Sequence, residues 1–356
     1  MGLKLIVACG GTGGHSFPGL AVASELAARG HDVTVWMSGR DVESRVLKGW
    51  AGPVFATGAR PLAVRFLFAN LRALWRCRRE IRRMKPAALL AMGSYSSLPP
   101  VIAASRNKVP VVLHEANTVP GRAIDFLSHF ARAVAISFES TAEHFPGKET
   151  VLTGLPVRVD IAGQPPFEEA PAGSFRVFVT GGSQGAHKVN EVASKALVML
   201  NRDLATRGRR LYVIHQTGVK DEAEVARTYA AAGVLARVQA FEHEMGRAFA
   251  TADVVVARAG ASTCFELALT GKPAFLIPLP SALRDHQHYN AAAFAAKKAV
   301  AEGRQDDLSP RALANWLLHK AENRYSLAEM AQRMSAMGMP DAAARVADLV
   351  ERVAKG

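Results

Sequence analysis

Two glycine-rich turns carry the first chemical signal in this 356-residue chain. The apolar run Leu5 to Cys9 leads into Gly10-Gly11-Thr12-Gly13-Gly14-His15, and Arg176 to Thr180 leads into Gly181-Gly182-Ser183-Gln184-Gly185-Ala186. Where a strand passes into a helix, glycines let backbone N–H groups approach a phosphate at the helix start. The plain alternative is a tight connection without a ligand. The dinucleotide pattern G-x-G-x-x-G breaks at Ser16, and the second strand runs into Ser38-Gly39-Arg40 where a ribose-binding carboxylate would stand. That weakens NAD binding and leaves NADP with Arg40 open. The second turn continues Ala186-His187-Lys188-Val189, so the Walker pattern fails as well. His15 stands at a helix start, whose positive end disfavours imidazolium and keeps the ring neutral, as a general base requires.

The second half offers a companion set. Arg258-Ala259-Gly260-Ala261-Ser262-Thr263 follows a strand and opens a helix, with Glu266 one turn on. N–H groups and hydroxyls there suit a diphosphate, and a carboxylate on the same face suits a ribose diol. The plain reading makes Ser262 a helix cap and Glu266 a solvated charge. Asp285-His286-Gln287-His288-Tyr289-Asn290 follows a later strand, and its amides suit sugar hydroxyls. His286 and His288 hint at zinc, but no third ligand follows at a familiar spacing. With no Asp-x-Asp anywhere in the chain, we expect no metal and no cofactor.

The elements that must position these residues alternate along the chain. Strand-like runs fall at 3–9, 32–37, 87–92, 109–114, 133–137 and 149–153, then at 175–180, 211–216, 235–240, 253–257 and 274–278. Helical patterns lie between most of them, the signature of parallel sheets with crossover helices. Residues 159–174, with Pro165, Pro166 and Pro171, read as a linker. After Pro310 the pattern is helical, and Pro340 sets off a final helix. We therefore expect an α/β chain of two similarly built domains, strand carboxyl ends facing a shared cleft, where ligands of such sheets sit.

Charge narrows the ligand class. The chain carries a net +13, and residues 1–155 hold 19 basic against 10 acidic residues, which suits a polyanion. Between 60 and 85, nine basic residues from Arg60 to Lys85 face one acid, Glu80, interleaved with Phe66, Phe68, Leu71 and Trp75. That composition suits a helix lying on anionic lipid headgroups better than RNA, for which no recognition motif is present. A solvated packing helix is the plain reading. Three dispersed cysteines fit a reducing compartment. No apolar run reaches the ~20 residues of a membrane-spanning helix, and the early first strand leads us to expect no signal peptide.

Taken in order, these motifs resemble one family, the MurG-type UDP-N-acetylglucosamine transferases of bacterial peptidoglycan synthesis. The resemblance spans nearly the whole chain. It rests on the first glycine turn followed by Phe17-Pro18-Gly19-Leu20-Ala21, on His114-Glu115-Ala116-Asn117, and on the second glycine turn. His215-Gln216-Thr217-Gly218, the Arg258–Glu266 segment and Asp285-His286-Gln287 with Asn290-Ala291 complete it.

The resemblance implies a GT-B fold of two Rossmann-like domains. Residues 1–158 with a returning C-terminal helix 340–356 would receive the lipid acceptor, and 159–339 would bind the donor. It implies an inverting, metal-independent transfer of GlcNAc from UDP-GlcNAc to the muramoyl 4-hydroxyl of undecaprenyl-diphospho-muramoyl-pentapeptide, with His15 as base. Backbone at Phe241 and Glu242, near Met245, would read uracil, and Glu266 would bind ribose. Ser183, Gln184, Ala261, Ser262 and Thr263 would hold the donor diphosphate. Gln287, Asn290 and Asn117 would contact or position the sugar, with Arg158 near the nucleotide. Gly11, Thr12, Gly13 and Gly14 with Gly93, Ser94 and Tyr95 would receive the acceptor diphosphate, Thr12 to Gly14 also serving the donor. It further implies a cytoplasmic protein, peripheral on the inner face of the plasma membrane through residues 60–85, with cell-wall synthesis proteins as partners and no nucleic acid.

Two departures stand out: the family's Gly-Gly-Tyr is Gly93-Ser94-Tyr95 here, and its Gly-Asn-Pro-Val-Arg is Gly154-Leu155-Pro156-Val157-Arg158. The rival readings are another UDP-sugar GT-B enzyme, such as the UDP-GlcNAc 2-epimerase, and a non-catalytic nucleotide- or RNA-binding protein.

Overall fold

The computed structural model describes the chain apart from Met1, Thr12, residues 41–45, Leu62 and Val159. It divides into two compact units, Met1–Arg158 with Met339–Gly356, and Val159–Gly338. In the first, β1 (Lys4–Ala8), α1 (Gly13–Ala28), β2 (Asp32–Met37), β3 (Val54–Ala56), α2 (Leu67–Met84) and β4 (Ala88–Ala91) are followed by α3 (Leu98–Arg106), β5 (Val111–Glu115), α4 (Arg122–Leu127), β6 (Ala133–Ile136) and β7 (Glu149–Leu152). The second runs β8 (Phe175–Thr180), α5 (His187–Ala205), β9 (Leu211–Gln216), α6 (Glu222–Ala231), β10 (Leu235–Gln239), α7 (Met245–Thr251) and β11 (Val254–Ala257). It closes with α8 (Ala261–Thr270), β12 (Ala274–Leu276), α9 (His286–Ala296), β13 (Val300–Glu302), α10 (Pro310–Glu322) and α11 (Arg324–Ser335). The last helix, α12 (Ala342–Lys355), belongs to the first unit.

Both sheets are parallel, in the orders β3-β2-β1-β4-β5-β6-β7 and β10-β9-β8-β11-β12-β13. Central strands buried on both faces read as near-continuous Val, Ile and Leu, which is why the sequence displays them plainly. The edge strands β3 and β13 escape that reading. Each has three residues, Val-Phe-Ala and Val-Ala-Glu, and presents only part of its surface to the core. In both orders the chain leaves the first strand (β1 or β8) in one direction and returns on its other side (β4 or β11). A crevice therefore opens between their carboxyl ends.

The final helix returns for a physical reason. Val346, Leu349, Val350 and Val353 are buried against Leu5, Val7, Leu20 and Val22, each worth about 1.5–3 kcal/mol of burial. Arg29, just past the end of α1, meets Asp348 and Glu351 on α12 at 2.6 and 3.0 Å. The linker reading of 159–174 needs correcting. Ile161, Phe167 and Ala170 are buried, the Phe167 N–H donates to Thr251 Oγ1 at 2.7 Å, and Arg237 and Arg247 lie over the Phe167 ring. Prolines mark the stretch as irregular, but these apolar side chains bind it down as a packed strap on the second unit.

Two buried histidines make stability depend on pH. Burial lowers the His114 imidazolium from 6.5 to about 4 and that of His215 from 6.5 to about 3. The unfolded chain then binds protons below pH 6.5 that the folded chain refuses. Stability is full above that value and falls by about 1.4 kcal/mol per pH unit per histidine as pH drops toward 4. Denaturant midpoints should decline steadily from pH 6.5 to 5; a flat profile there would contradict neutral burial of both rings.

Candidate functional site

In the first unit the crevice between β1 and β4 gathers the glycine turn, the Gly93-Ser94-Tyr95 turn and the start of α1. Ser16 Oγ donates to the Cys9 carbonyl at 2.8 Å, fastening the first helical turn to the strand it leaves. A Cβ at Gly19 would lie 2.2 Å from that of Cys9, so glycine there permits close helix-to-strand packing. Gly11, at φ +122, passes under Ser94: an added Cβ would sit 2.7 Å from the Ser94 hydroxyl. The two turns are laced together where Ser96 Oγ donates to the Gly10 carbonyl.

His15 stands in this crevice, half-buried, its Cδ2 3.3 Å from where a Cβ on Gly93 would be. Desolvation lowers its pKa from 6.5 to about 4, so the ring is neutral at physiological pH. Its neighbour His114, the last but one residue of β5, is fully buried; Nε2 donates to the Gly154 carbonyl at 3.0 Å, and Nδ1 is without a hydrogen-bond partner among the described residues. Glu115 beside it is buried too and organises the next loop, accepting from the Asn117 N–H at 2.8 Å, the Asn117 amide at 3.0 Å and the Gly121 N–H at 2.9 Å. Desolvation pushes its carboxyl above the ordinary range, and those N–H groups pull the other way. Arg158 lies over the Phe17 ring on α1, 5.1 Å from its centre. Gly13 and Gly14 open that helix, and Thr12 lies outside the described residues.

Ser94 departs from ordinary backbone geometry. Its φ of 69° and ψ of 165° fall in a region occupied almost only by glycine. Tyr95 beside it bonds through its hydroxyl to Arg40 Nη1 at 3.1 Å.

In the second unit the sequence candidates again follow strand carboxyl ends. Ser183 and Gln184 are exposed on the turn after β8; Phe241 and Glu242 follow β10, and Met245 starts α7. Ala261, Ser262, Thr263 and Glu266 lie on the first two turns of α8, and Gln287 and Asn290 on α9. The cap of α8 is Gly260, with no side-chain cap hydrogen bond, so Ser262 is not the cap. Glu266 is half-buried rather than fully solvated. Asn290 is completely buried and donates to the Ala259 carbonyl at 3.2 Å, which makes it a support behind the α8 turn. Gln287 accepts from the Leu279 N–H at 3.0 Å. His286 Nδ1 faces the Leu283 carbonyl at 2.8 Å while His288 Nδ1 faces Glu302 at 3.8 Å.

Two supports were not assigned roles from sequence. Gln216, buried at the end of β9, donates to the Gly182 carbonyl at 2.7 Å and accepts from the Glu242 N–H at 3.2 Å. One amide thus ties the glycine turn to the loop after β10. Arg258, 8 % exposed, donates to the Ile277 and Pro278 carbonyls and to Gln305 Oε1 at 2.6 Å, bracing the ends of β11 and β12. An amide or guanidinium in a strand end signals nothing by itself; only the loops that converge on it give it work.

Away from both crevices, α2 departs from a plain packing helix. It buries only Ala73, Cys77 and Ile81, at four-residue spacing, and leaves Phe68 85 % and Trp75 62 % exposed beside Leu67 and Leu71. Arg79 lies over the Trp75 ring, and Arg76 over Phe55.

Comparison with known proteins gives a consistent result. Residues 5–136 match the glycosyltransferase family 28 N-terminal domain, and 176–346 match the glycosyltransferase family 28 C-terminal domain. A protein of Geotalea uraniireducens named UDP-N-acetylglucosamine--N-acetylmuramyl-(pentapeptide) pyrophosphoryl-undecaprenol N-acetylglucosamine transferase is 36% identical over 98% of this chain and 98% of its own. One of the same name from Brucella canis is 37% identical over 99% of this chain and 94% of its own. The crystal structure of Acinetobacter baumannii MurG superposes with a TM-score of 0.79 at 31% identity, covering 99% of this chain and all of that one. The UDP-GlcNAc 2-epimerase from Neisseria meningitidis, solved with UDP-GlcNAc, shares the fold at a TM-score of 0.74 and 12% identity, covering 98% of this chain and 100% of that one.

The strained serine gives a direct test. Backbone strain of this kind costs about 1–3 kcal/mol, against about 0.4–1 kcal/mol of extra unfolded-state entropy when glycine replaces it. Ser94→Gly should therefore raise stability by about 1 kcal/mol in a denaturant titration; a loss of stability would show that the serine is not strained.

Proposed function

The chain belongs to glycosyltransferase family 28 and, within it, to the MurG-type UDP-N-acetylglucosamine transferases, and from that premise we propose how its two crevices divide the reaction. It transfers N-acetylglucosamine from UDP-GlcNAc to the muramoyl 4-hydroxyl of undecaprenyl-diphospho-muramoyl-pentapeptide, giving the β-1,4-linked disaccharide lipid. The observation that carries this reading is near-full-length identity of 36–37% to proteins of that one name. The epimerases share only the fold, at 12% identity.

Donor binding falls to the second unit. The uncapped start of α8 and the exposed Ser183–Gln184 turn present N–H groups and hydroxyls to the diphosphate. Glu266 accepts from the ribose hydroxyls, and backbone near Phe241 and Glu242, held by Gln216, reads the uracil. The acceptor diphosphate falls to the glycine turn and Gly93-Ser94-Tyr95 of the first unit, beside Arg40.

The chemistry is a displacement at the anomeric carbon. The acceptor oxygen forms its bond to that carbon as the bond to the UDP oxygen breaks, inverting α to β. His15, neutral when the enzyme is free, takes the hydroxyl proton. Arrival of the anionic acceptor diphosphate beside it raises its proton affinity at the moment it is needed. Negative charge growing on the departing diphosphate meets the positive end of α8. UDP leaves readily as an anion, so no acid need protonate it.

The arginine-rich face of α2 holds the protein on the anionic inner surface of the plasma membrane, Phe68, Leu71 and Trp75 entering the headgroup region. No helix among the described residues is long and apolar enough to cross a membrane.

Radiolabelled UDP-GlcNAc incubated with the lipid-linked muramoyl-pentapeptide should deliver label to the lipid phase; free N-acetylmannosamine or its nucleotide as the only product would favour the epimerase reading. In that assay His15→Ala should cut kcat by about 10²–10⁴-fold with UDP affinity kept. Glu266→Ala should instead raise the donor KM by about tenfold or more, as loss of charge-assisted hydrogen bonds does. The opposite pattern, or no change in either variant, would remove both assignments. Replacing Arg72, Arg76 and Arg79 by Glu should weaken binding to anionic vesicles by about a hundredfold, at about 1 kcal/mol per basic residue; unchanged sedimentation with vesicles would remove the membrane role of α2.

A further inference from the structure

A shallow apolar groove of about 180 Å³ lies between α2 and α3, next to the Gly93-Ser94-Tyr95 turn. Leu67, Leu71 and Leu74 line one side, spaced i, i+4, i+7 so that they share one helix face, and Leu98 and Ile102 line the other. Tyr95 lines it as well, on the side of that turn. Asn70, the other polar side chain on the groove wall, is engaged elsewhere, accepting from the Arg60 N–H at 2.9 Å.

The two ends of this groove differ chemically. At the Tyr95 end the phenol oxygen meets the exposed Arg40 guanidinium at 3.1 Å, and the glycine turn passes under the adjoining Ser94. Cationic and uncharged chemistry therefore meet at one residue, which lines the groove and bonds through its hydroxyl to the Arg40 guanidinium. At the open side Leu67 and Leu71, both more than half exposed, continue into the apolar row of Phe68 and Trp75, which Arg72 and Arg79 flank. The groove thus lies between Tyr95 of the candidate diphosphate turn and the exposed apolar residues of α2.

We infer that this groove binds the first isoprenoid segment of the acceptor, the part of the lipid joined directly to the diphosphate. This rests on the acceptor reading given above. A diphosphate seated at Gly11 and Ser94 must release its chain in some direction, and beside Tyr95 the groove offers one that is lined with apolar side chains. The groove then reads the lipid itself and orients the diphosphate, apart from any membrane contact. A methylene buried there is worth about fourfold in affinity, so one or two isoprene units suffice for a measurable preference.

The test uses the full chain and water-soluble acceptors, without vesicles or detergent. Diphospho-muramoyl-peptides carrying either a methyl group or a two-isoprene chain are compared by KM at saturating UDP-GlcNAc. The wild-type KM should be about tenfold lower for the two-isoprene acceptor. In Leu74→Trp, which fills the groove, and in Ile102→Asn, which makes it polar, the ratio of the two KM values should collapse toward one. A wild-type ratio near one, or a ratio that survives both substitutions, overturns the groove and leaves the transferase reading standing. Failure of the wild-type enzyme to glycosylate either acceptor overturns the transferase reading and the groove with it.

Discussion

A parallel sheet whose strand order reverses leaves a gap between two neighbouring strand ends, and everything functional in this chain depends on what can fit there. In the first unit the turns after β1 and β4 are forced together. An ordinary side chain at Gly11 would run into Ser94, and one at Gly93 would press on His15 and Ile124. In the second unit the close crossing lies instead between the turns after β8 and β9, where Gly185 passes Thr217 and Gly218 and a Cβ would sit 2.0 Å from the Thr217 carbonyl oxygen. Removing side chains at these crossings exposes backbone N–H groups at helix starts, which is what an anionic ligand needs.

Turns that are mostly glycine have little to hold them still. The structure answers with buried polar side chains anchored on strand ends just behind each crevice. Glu115 gathers three N–H groups of the 117–121 loop, Gln216 joins the loops after β8 and β10, and Arg258 bonds two carbonyls and Gln305. Such groups are costly to bury unless every bond is made, so they fix one arrangement of the loops. Strain gathers in the same places. Among the described residues six non-glycine positions have positive φ; Lys85, Lys108 and Lys298 follow helix C-termini, and the other three lie in loops that follow strand carboxyl ends. Ser94 is one, and Arg284 and Asp285, entering α9, are the others.

The alternation of apolar strands with helical patterns made the two-domain α/β architecture readable, because central strands are apolar throughout and the glycine turns follow them directly. What sequence hid was short or tertiary. Edge strands β3 and β13 have too few residues to display a pattern. The 159–174 strap is proline-rich yet pinned by Phe167, whose ring is covered by Arg237 and Arg247, far along the chain. Ser94 could be seen as a departure from a glycine motif, but its backbone angles could not. The four-residue spacing of Ala73, Cys77 and Ile81 was present in the sequence of α2, hidden among thirteen other apolar and basic residues. Which of its faces packs is settled only by α3.

Backbone hydrogen exchange with and without saturating UDP, which carries no sugar, decides whether the nucleotide belongs to the β8–β11 crevice. Exchange should slow at 181–185, 240–245 and 260–266 and stay unchanged at 10–15. Protection centred on 10–15, with the second unit unaffected, would contradict that placement.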